Sequence, residues 1–166
     1  MLKKLFGKKE ETPNTITLIA PLSGKVIPLE EVPDPVFAQK MMGDGVAIIP
    51  TEGKVTSPVD GEIIQVFPTK HAIGIKAKNG AEILIHIGLD TVNMNGEGFT
   101  THIQEGKKVK TGDLLVTYQL DLVEERARSI VTPIIITNSD QMVTTDKQEG
   151  TDVTSTKDVL MTVSKK

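Results

Sequence analysis

Three histidines are the side chains in this 166-residue sequence best suited to chemistry near neutral pH. His71 and His86 lie in or beside apolar runs, whereas His102 is expected at the surface. An imidazole whose one nitrogen is held as N–H can act as a nucleophile, or bind a metal, through the other. Cysteine is absent, which excludes a disulfide framework, a thiolate zinc cluster and a cysteine nucleophile. Any covalent chemistry must therefore use another side chain.

The dipeptide Asn79-Gly80 separates two alternating apolar runs and predicts a hairpin with a two-residue type I′ turn. In that register Ile73 faces His86, and His71 is diagonal to His86 on the same face. Diagonal neighbours have Cα atoms about 7 to 8 Å apart, so we expect the two rings to meet. Gly88 is expected to let a backbone carbonyl approach the His86 ring.

A close histidine pair has three interpretations when the residues are considered alone. The pair is structural, binds a metal, or is reactive, with one ring as nucleophile and the other stabilising a transferred phosphoryl group. Zinc usually takes at least three protein ligands, so His102 or Asp90 would have to be recruited. Neither H-x-H nor H-E-x-x-H occurs, and no Walker loop, G-x-S-x-G or G-x-G-x-x-G is present. All three interpretations stay open at this point.

The elements that position these histidines are predicted to be short strands. Runs rich in Ile, Val and Thr alternate with Gly and Pro, a pattern typical of an all-β antiparallel sandwich or barrel-like fold. "APLSGKVI" from Ala20 and "SPVDGEII" from Ser57 indicate an internal duplication of a β motif. One short helix is predicted over Pro35–Met42 with Asp34 as N-cap and Gly43 as its stop, and another is capped by Asp121 and closed before Thr132-Pro133.

Composition predicts one domain over residues 15–166, preceded by a flexible basic tail over residues 1–14. The formal net charge is -3, with acidic and basic residues mixed along the chain, which disfavours nucleic-acid binding. The tail has too few apolar residues for a signal peptide or a membrane span. We therefore expect a cytoplasmic protein without stable membrane insertion.

The segments "APLSGKVIPLEEVPDPVFAQKMMGDGVAI", "TKHAIGI", "EILIHIGLDTV", "GEGFTTHIQEGKKVKTGDLL" and "TPIIITN" together resemble one family. It is the glucose-type IIA component of the bacterial phosphoenolpyruvate-dependent sugar phosphotransferase system, and the likeness spans about residues 15 to 166. The resemblance implies an antiparallel β-sandwich and phosphotransferase activity through a phosphohistidine. It implies that His86 is phosphorylated on Nε2, that His71 stabilises the transition state and supports onward transfer, and that Thr69 belongs to the hydrogen-bond network of His71.

The resemblance also implies partners. Phosphate arrives from a histidine of the phosphocarrier HPr and leaves to a cysteine of a IIB domain in a IIBC sugar permease. No cofactor is required, although zinc binds the histidine pair in some members, which makes His71 and His86 zinc-ligand candidates. The unphosphorylated form regulates other proteins in some members. By resemblance the partner-facing rim comprises Val36, Phe37, Val46, Phe67, Ile73, Asp90 and Val92.

Two other function classes compete with a phosphocarrier. "VTSPVDGEIIQV" and "EGKKVKTGDLL" are similar to turns of lipoyl and biotinyl carriers, which need a modified lysine at a hairpin tip; Lys78 is the candidate, but it lacks flanking methionines. A histidine-dependent zinc protein is the other alternative, and it lacks a third strong ligand. Intact mass and metal content would separate these classes from a phosphocarrier.

Overall fold

The computed structural model describes residues 13–166, so nearly all of the predicted tail, residues 1–14, lies outside the described residues. Within them the protein is mostly β. The strands are β1 (Thr15–Ile19), β2 (Gly24–Pro28), β3 (Asp44–Pro50), β4 (Lys54–Thr56), β5 (Gly61–Val66), β6 (Ala72–Ala77), β7 (Glu82–His86), β8 (Phe99–Thr101), β9 (Lys108–Val109), β10 (Leu114–Tyr118), β11 (Thr132–Ile136), β12 (Met142–Thr145), β13 (Asp152–Val153) and β14 (Val159–Lys165). Two α-helices, α1 (Pro35–Ala38) and α2 (Leu120–Arg126), and 3-10 helices at Leu29–Glu31, Thr91–Met94 and Ser139–Gln141 complete these elements.

The strands form one large antiparallel sheet and two small ones. The large sheet has the order β13-β2-β3-β11-β7-β6-β5-β9, and the small sheets have the orders β1-β14-β12 and β4-β10-β8. The all-β antiparallel sandwich predicted from the sequence is therefore confirmed. None of the helices within residues 13–166 has the length and apolar character needed to cross a membrane.

Alternation along the central strands sorts their side chains onto two faces. In β7, Ile83 and Ile85 join the main core between the sheets, together with residues of the small sheets, whereas Leu84 joins a second, smaller cluster on the outer face. Side chains two residues apart share a face of a strand, so His86 belongs to the outer face with Leu84. The outer cluster is completed by side chains from β2, β3, β6, β11 and the flanking loops: Ile27, Leu29, Val32, Phe37, Ala47, Ala72, Leu89, Val131 and Ile135.

The predicted duplication is confirmed, and it extends through the whole sheet order. The unit β4–β10 is contiguous, and β1–β3 with β11–β14 repeat its pairings, since β13-β2-β3-β11 corresponds to β9-β5-β6-β7 and β1-β14-β12 to β4-β10-β8. The two predicted motifs bond reciprocally, because Ile19 N donates to Pro58 O at 3.0 Å and Thr56 N donates to Pro21 O at 2.9 Å. The two halves therefore pack about an approximate two-fold axis between β7 and β11.

Both predicted helices exist but with different bounds. Helix α1 has the predicted Asp34 cap, whose Oδ1 accepts from Val36 N at 2.9 Å, yet it ends at Ala38, before a left-handed Lys40. Helix α2 begins at Leu120 after an uncapped Gln119, so the prediction of Asp121 as its cap is wrong. It ends at Arg126, and Thr132-Pro133 belongs to β11.

Candidate functional site

The β6–β7 hairpin brings His71 and His86 together, although not in the predicted register. Ala72, and not Ile73, is the partner of His86. The loop has three residues, since Ala77 N donates to Ala81 O at 2.8 Å and Gly80 N donates to Ala77 O at 3.0 Å, with Gly80 at a φ of 92°. A turn followed by a left-handed glycine is the usual three-residue hairpin.

The ring contact survives this correction because His71 precedes the strand. It lies in a bend before Ala72, where strict alternation of faces does not apply, and its carbonyl accepts from Ile87 N at 2.7 Å. The ring centroids of His71 and His86 are 4.9 Å apart with an interplanar angle of 80°. The predicted contact between the two imidazoles is therefore confirmed, while their chemical roles stay predictions.

His86 has a defined tautomer. Its Nδ1 lies 2.8 Å from the carbonyl oxygen of Gly88, and a carbonyl can only accept, so Nδ1 carries the proton. Neutral His86 therefore keeps an unprotonated Nε2 with its lone pair available. This is the arrangement that a nucleophilic imidazole needs.

A tight turn after β7 supplies this carbonyl. Gly88 has a φ of 74°, and a Cβ placed there would lie 2.6 Å from Thr91 Cγ2 and 3.0 Å from Ser129 O. Thr91 is fully buried, and its hydroxyl donates to Ile87 O at 2.6 Å. The expectation that Gly88 lets a carbonyl reach the ring is confirmed, and Thr91 is a supporting residue that the sequence prediction missed.

His71 is buried and has its own partner. Its Nδ1 lies 2.7 Å from Thr69 Oγ1, as the resemblance implied for Thr69. The hydroxyl can donate or accept, so this bond fits either tautomer of His71. Phe67 contacts the His71 ring edge-on at 5.6 Å between centroids, and Phe37 contacts the His86 ring at 5.1 Å. One aromatic ring therefore packs against each imidazole.

Burial keeps both imidazoles neutral. It lowers the pKa of His71 to about 4, with a further contribution from the nearby His86. Burial also lowers the pKa of His86, although the Gly88 carbonyl and the carboxylates of Asp34 and Asp90 act in the opposite direction. Both rings are therefore uncharged at neutral pH, and the two carboxylates create a negative potential around His86. Asp34 was predicted only as a helix cap, and its second effect has no signal in the linear sequence.

The predicted rim divides into exposed and buried residues. Val36 is 39% exposed and Val92 is 50% exposed, Asp90 is exposed, and Phe67 is half-buried. Phe37 is buried under His86, so it lines the site without forming its outer surface. For Val46 and Ile73 the structure corrects the prediction, because both are fully buried in the main core, on the opposite face of the sheet from His86.

Two methionines extend the exposed apolar surface near this rim. Met41 is 69% exposed and Met42 is 38% exposed, directly after helix α1. The sequence prediction placed them inside a longer helix, and the early end of α1 at Ala38 is what leaves them outside it. His102 is exposed, and its Nε2 lies 2.9 Å from Oγ1 of Thr117 in β10. It therefore lies beside the small sheet β4-β10-β8, whereas the histidine pair belongs to the large sheet.

The histidine pair does not form a complete metal site by itself. Among the residues that the structure describes, no group of three or more His, Cys, Asp or Glu side chains is arranged to hold a metal ion. Zinc usually takes three or four protein ligands. A zinc ion on His71 and His86 would therefore need a ligand from another molecule, and no chemical step is assigned to it.

The sequence and the fold are both similar to those of known proteins. Residues 16–142 match the family described as "phosphoenolpyruvate-dependent sugar phosphotransferase system, EIIA 1". A glucose-specific EIIA component from Bacillus cereus is 65% identical over 140 residues, covering 84% of each sequence, and one from Halalkalibacterium halodurans is 54% identical over 98% of each. The solved structure of glucose permease IIA from Mycoplasma capricolum superposes with a TM-score of 0.85 at 41% identity, covering 90% of this protein and 96% of that one.

Proposed function

Because this protein belongs to the EIIA type 1 family of the phosphoenolpyruvate-dependent sugar phosphotransferase system, we propose that it carries a phosphoryl group on Nε2 of His86 between two other proteins. The observation that carries the proposal is the bond from His86 Nδ1–H to the Gly88 carbonyl at 2.8 Å. That bond leaves Nε2 as the nitrogen with a free lone pair. Neighbouring groups then determine how well it reacts.

The first step is phosphoryl transfer from a phosphohistidine of HPr. The P–N bond to the donor imidazole breaks, a P–Nε2 bond to His86 forms, and the Nδ1 proton stays directed at Gly88. His71, whose ring is 4.9 Å from that of His86, donates a hydrogen bond to the transferred group as charge develops on it. Thr69 fixes the orientation of His71 through their 2.7 Å contact. Positioning and electrostatics of this kind supply most of the catalysis in phosphoryl transfer.

The second step passes the phosphoryl group to a cysteine thiolate of a IIB domain. The acceptor must lie outside this sequence, because it contains no cysteine. The exposed apolar residues Val36 and Val92 are suited to exclude water while partners dock, which favours transfer over hydrolysis. The carboxylates of Asp34 and Asp90 are suited to attract cationic side chains on both partners.

We propose that the sugar is glucose, on the basis of the names of the relatives. Their names specify glucose, and we assign the protein to a glucose permease on that basis. Regulation by the unphosphorylated form is a further role that the family resemblance implies. A lipoyl or biotinyl carrier is not favoured, because the family match accounts for the hairpin on which Lys78 is located.

The test is phosphorylation with phosphoenolpyruvate, enzyme I and HPr, followed by mass-spectrometric mapping of the acid-labile phosphate. We expect one phosphate on His86 and none on a His86→Ala variant. His71→Ala should accept phosphate but donate it poorly to IIB, whereas the control His102→Ala should behave like the parent protein. Label retained by His86→Ala, or normal onward transfer by His71→Ala, would contradict the respective assignment.

A further inference from the structure

The sequence contains two Asn-Gly dipeptides, Asn79-Gly80 and Asn95-Gly96. Asparagine is a thermolabile residue, and it loses ammonia most readily before glycine, because no side chain hinders attack by the glycine nitrogen. The reaction requires a free asparagine side chain and a glycine N–H that can leave its hydrogen bond. The structural environment therefore decides which of the two pairs reacts in the folded protein.

Asn79 is fully engaged in hydrogen bonds. Its Nδ2 donates to the carbonyls of Asn14 at 3.2 Å and Val163 at 3.1 Å, and its Oδ1 accepts from Ala81 N at 3.1 Å. The Gly80 N–H closes the hairpin turn at 3.0 Å. The residue is only 1% exposed. Cyclisation at Asn79 would break all of these bonds and open the hairpin.

Asn95 has none of this protection. It is exposed and follows the 3-10 helix Thr91–Met94 in a left-handed conformation with a φ of 56°. Within residues 13–166 its side chain makes no hydrogen bond, and the Gly96 N–H has no acceptor. Gly96 has a φ of 85°, a conformation that glycine adopts and leaves at low cost. Both reacting groups are therefore free.

We propose that Asn95 is a site of spontaneous deamidation in the folded protein. The Gly96 nitrogen attacks Cγ of Asn95, an N–C bond forms, and the nitrogen loses its proton to solvent. The bond between Cγ and Nδ2 of Asn95 breaks, and ammonia leaves a five-membered succinimide. Water then adds to either succinimide carbonyl and gives aspartate or isoaspartate. The net change consumes one water, releases one ammonia and adds one negative charge.

The modified residue would adjoin the segment that holds His71. A Cβ placed on Gly96 would lie 3.7 Å from Thr69 O and 3.7 Å from Lys70 Cδ, and the hydroxyl of Thr69 contacts His71 Nδ1. The new carboxylate would thus arise at residue 95, next to Gly96, which packs against Thr69 and Lys70. An isoaspartate would also lengthen the backbone there. Deamidation at Asn95 does not require the proposed phosphoryl transfer.

The test is peptide mapping after incubation of the folded protein at mildly alkaline pH, with separation of aspartate and isoaspartate products. Opening the bonds around Asn79 costs several kcal/mol, so we expect Asn95 to react on the order of 100-fold faster than Asn79. In denaturant the two rates should converge. The variant Asn95→Gln should remove the acidic product, whereas the control Asn93→Gln in the preceding 3-10 helix should not. Equal rates in the folded protein, or no reaction at Asn95 where the denatured protein reacts, would overturn the proposal.

Discussion

Hydrogen bonds at Nδ1 determine what each histidine can do. For His86 the acceptor is a carbonyl, which fixes the tautomer, whereas for His71 the partner is a hydroxyl, which permits both. Burial then keeps the two rings uncharged, because neither has a carboxylate bonded directly to it. Two neutral imidazoles in contact avoid the repulsion that two imidazolium ions would suffer. The same burial makes the stability of the fold depend on pH.

Stability should fall as the pH drops from about 6.5 toward 4, because the pKa of His71 is lowered from an ordinary value of 6.5 to about 4. In this window the unfolded protein binds a proton at His71 that the folded protein excludes, so the free energy of unfolding rises with pH. The contribution is complete above about pH 6.5 and amounts to about 2 to 3 kcal/mol. Urea unfolding across this range measures it.

His71→Gln should reduce this dependence, with the remainder arising from His86, whose pKa burial also lowers, and the control His102→Gln should leave it unchanged. Asp44 does not contribute to the change in stability between pH 6.5 and 4. Its pKa is held at about 2, despite burial, by hydrogen bonds from Lys147 and Thr144, and its ordinary value is 3.8. Its contribution is therefore lost only at lower pH. An unaltered slope in His71→Gln would show that His71 does not control stability in this window.

At the scale of elements, the site depends on the hairpin β6–β7 and the turn after it. The turn from Ile87 to Asp90 includes two left-handed residues, Gly88 and Asp90. The loop before β11 supports it, since Leu89 N donates to Ser129 O at 2.9 Å and Arg128 N donates to Leu89 O at 3.0 Å. The carbonyl that orients His86 is therefore held from both ends of the turn.

Thr91→Val should disturb this turn while preserving the shape of the side chain. The variant loses the 2.6 Å bond to Ile87 O in a fully buried position and leaves that carbonyl unpaired, at an expected cost of about 1 to 3 kcal/mol. Nitrogen NMR of His86 should show a smaller population of the Nδ1–H tautomer, and phosphorylation should slow. Thr91→Ser keeps the hydroxyl and should restore both.

If Thr91→Ser were phosphorylated as slowly as Thr91→Val, packing of the Thr91 methyl group would be the important property, and not its hydrogen bond. The tautomer population separates the two explanations, because loss of packing alone does not change which nitrogen of His86 carries the proton. Denaturant melts of both variants give the accompanying change in stability.

The sequence predicted the contents of this hairpin better than its register. Isoleucines at alternate positions identify β6 and β7, but a two-residue and a three-residue loop both fit Asn79-Gly80. The deciding factor is non-local: the Asn79 side chain bonds to Asn14 and Val163, which are distant from it in sequence. Likewise, β9 and β13 are two residues long and have no periodic signal.

The candidate site, like the hairpin, was predicted only in part from the sequence. The contact between His71 and His86 was predicted from a hairpin register that is wrong by one residue, and it forms because His71 lies in a bend before β6. The role of Gly88 follows from its position after β7, and the Thr69 contact agrees with the family resemblance. Burial of Val46 and Ile73 depends on which face of the large sheet receives the small sheets. The linear pattern shows alternation but does not say which face is covered. The charge of Asp34 beside His86 likewise arises only from folding.

At the scale of the whole molecule, two similar halves build one site. The segments "EGKKVKTGDLL" from Glu105 and "EGTDVTSTKDVL" from Glu149 are equivalent turns. Gly106 N donates to Ile63 O and Gly150 N donates to Val26 O, both at 2.8 Å. All three histidines lie in the half formed by β4–β10, and the half formed by β1–β3 with β11–β14 has none. The duplication therefore provides the scaffold, and the chemistry belongs to one copy.

Equivalent glycines should respond alike to substitution. A Cβ on Gly24 would lie 2.0 Å from Ile49 O, and one on Gly61 would lie 2.4 Å from Lys76 O. Both overlap backbone, so Gly24→Ala and Gly61→Ala should each cost at least about 2 kcal/mol. Gly106→Ala and Gly150→Ala meet no atom within 4 Å but have φ values of 89° and 86°. They should cost about 1 kcal/mol each. Chemical denaturation of the four variants provides the comparison.

The pairing of β1 with β14 places Thr15 opposite Ser164, so the first and last strands lie side by side. Asn79, at the loop of the hairpin, bonds to both ends through Asn14 and Val163, and the histidines occupy the other end of that hairpin. Strands of five or six residues separate the two by roughly 17 to 20 Å. A circular permutant that joins these ends by a short linker and opens at the exposed turn near Thr111 should therefore fold around an unaltered histidine pair.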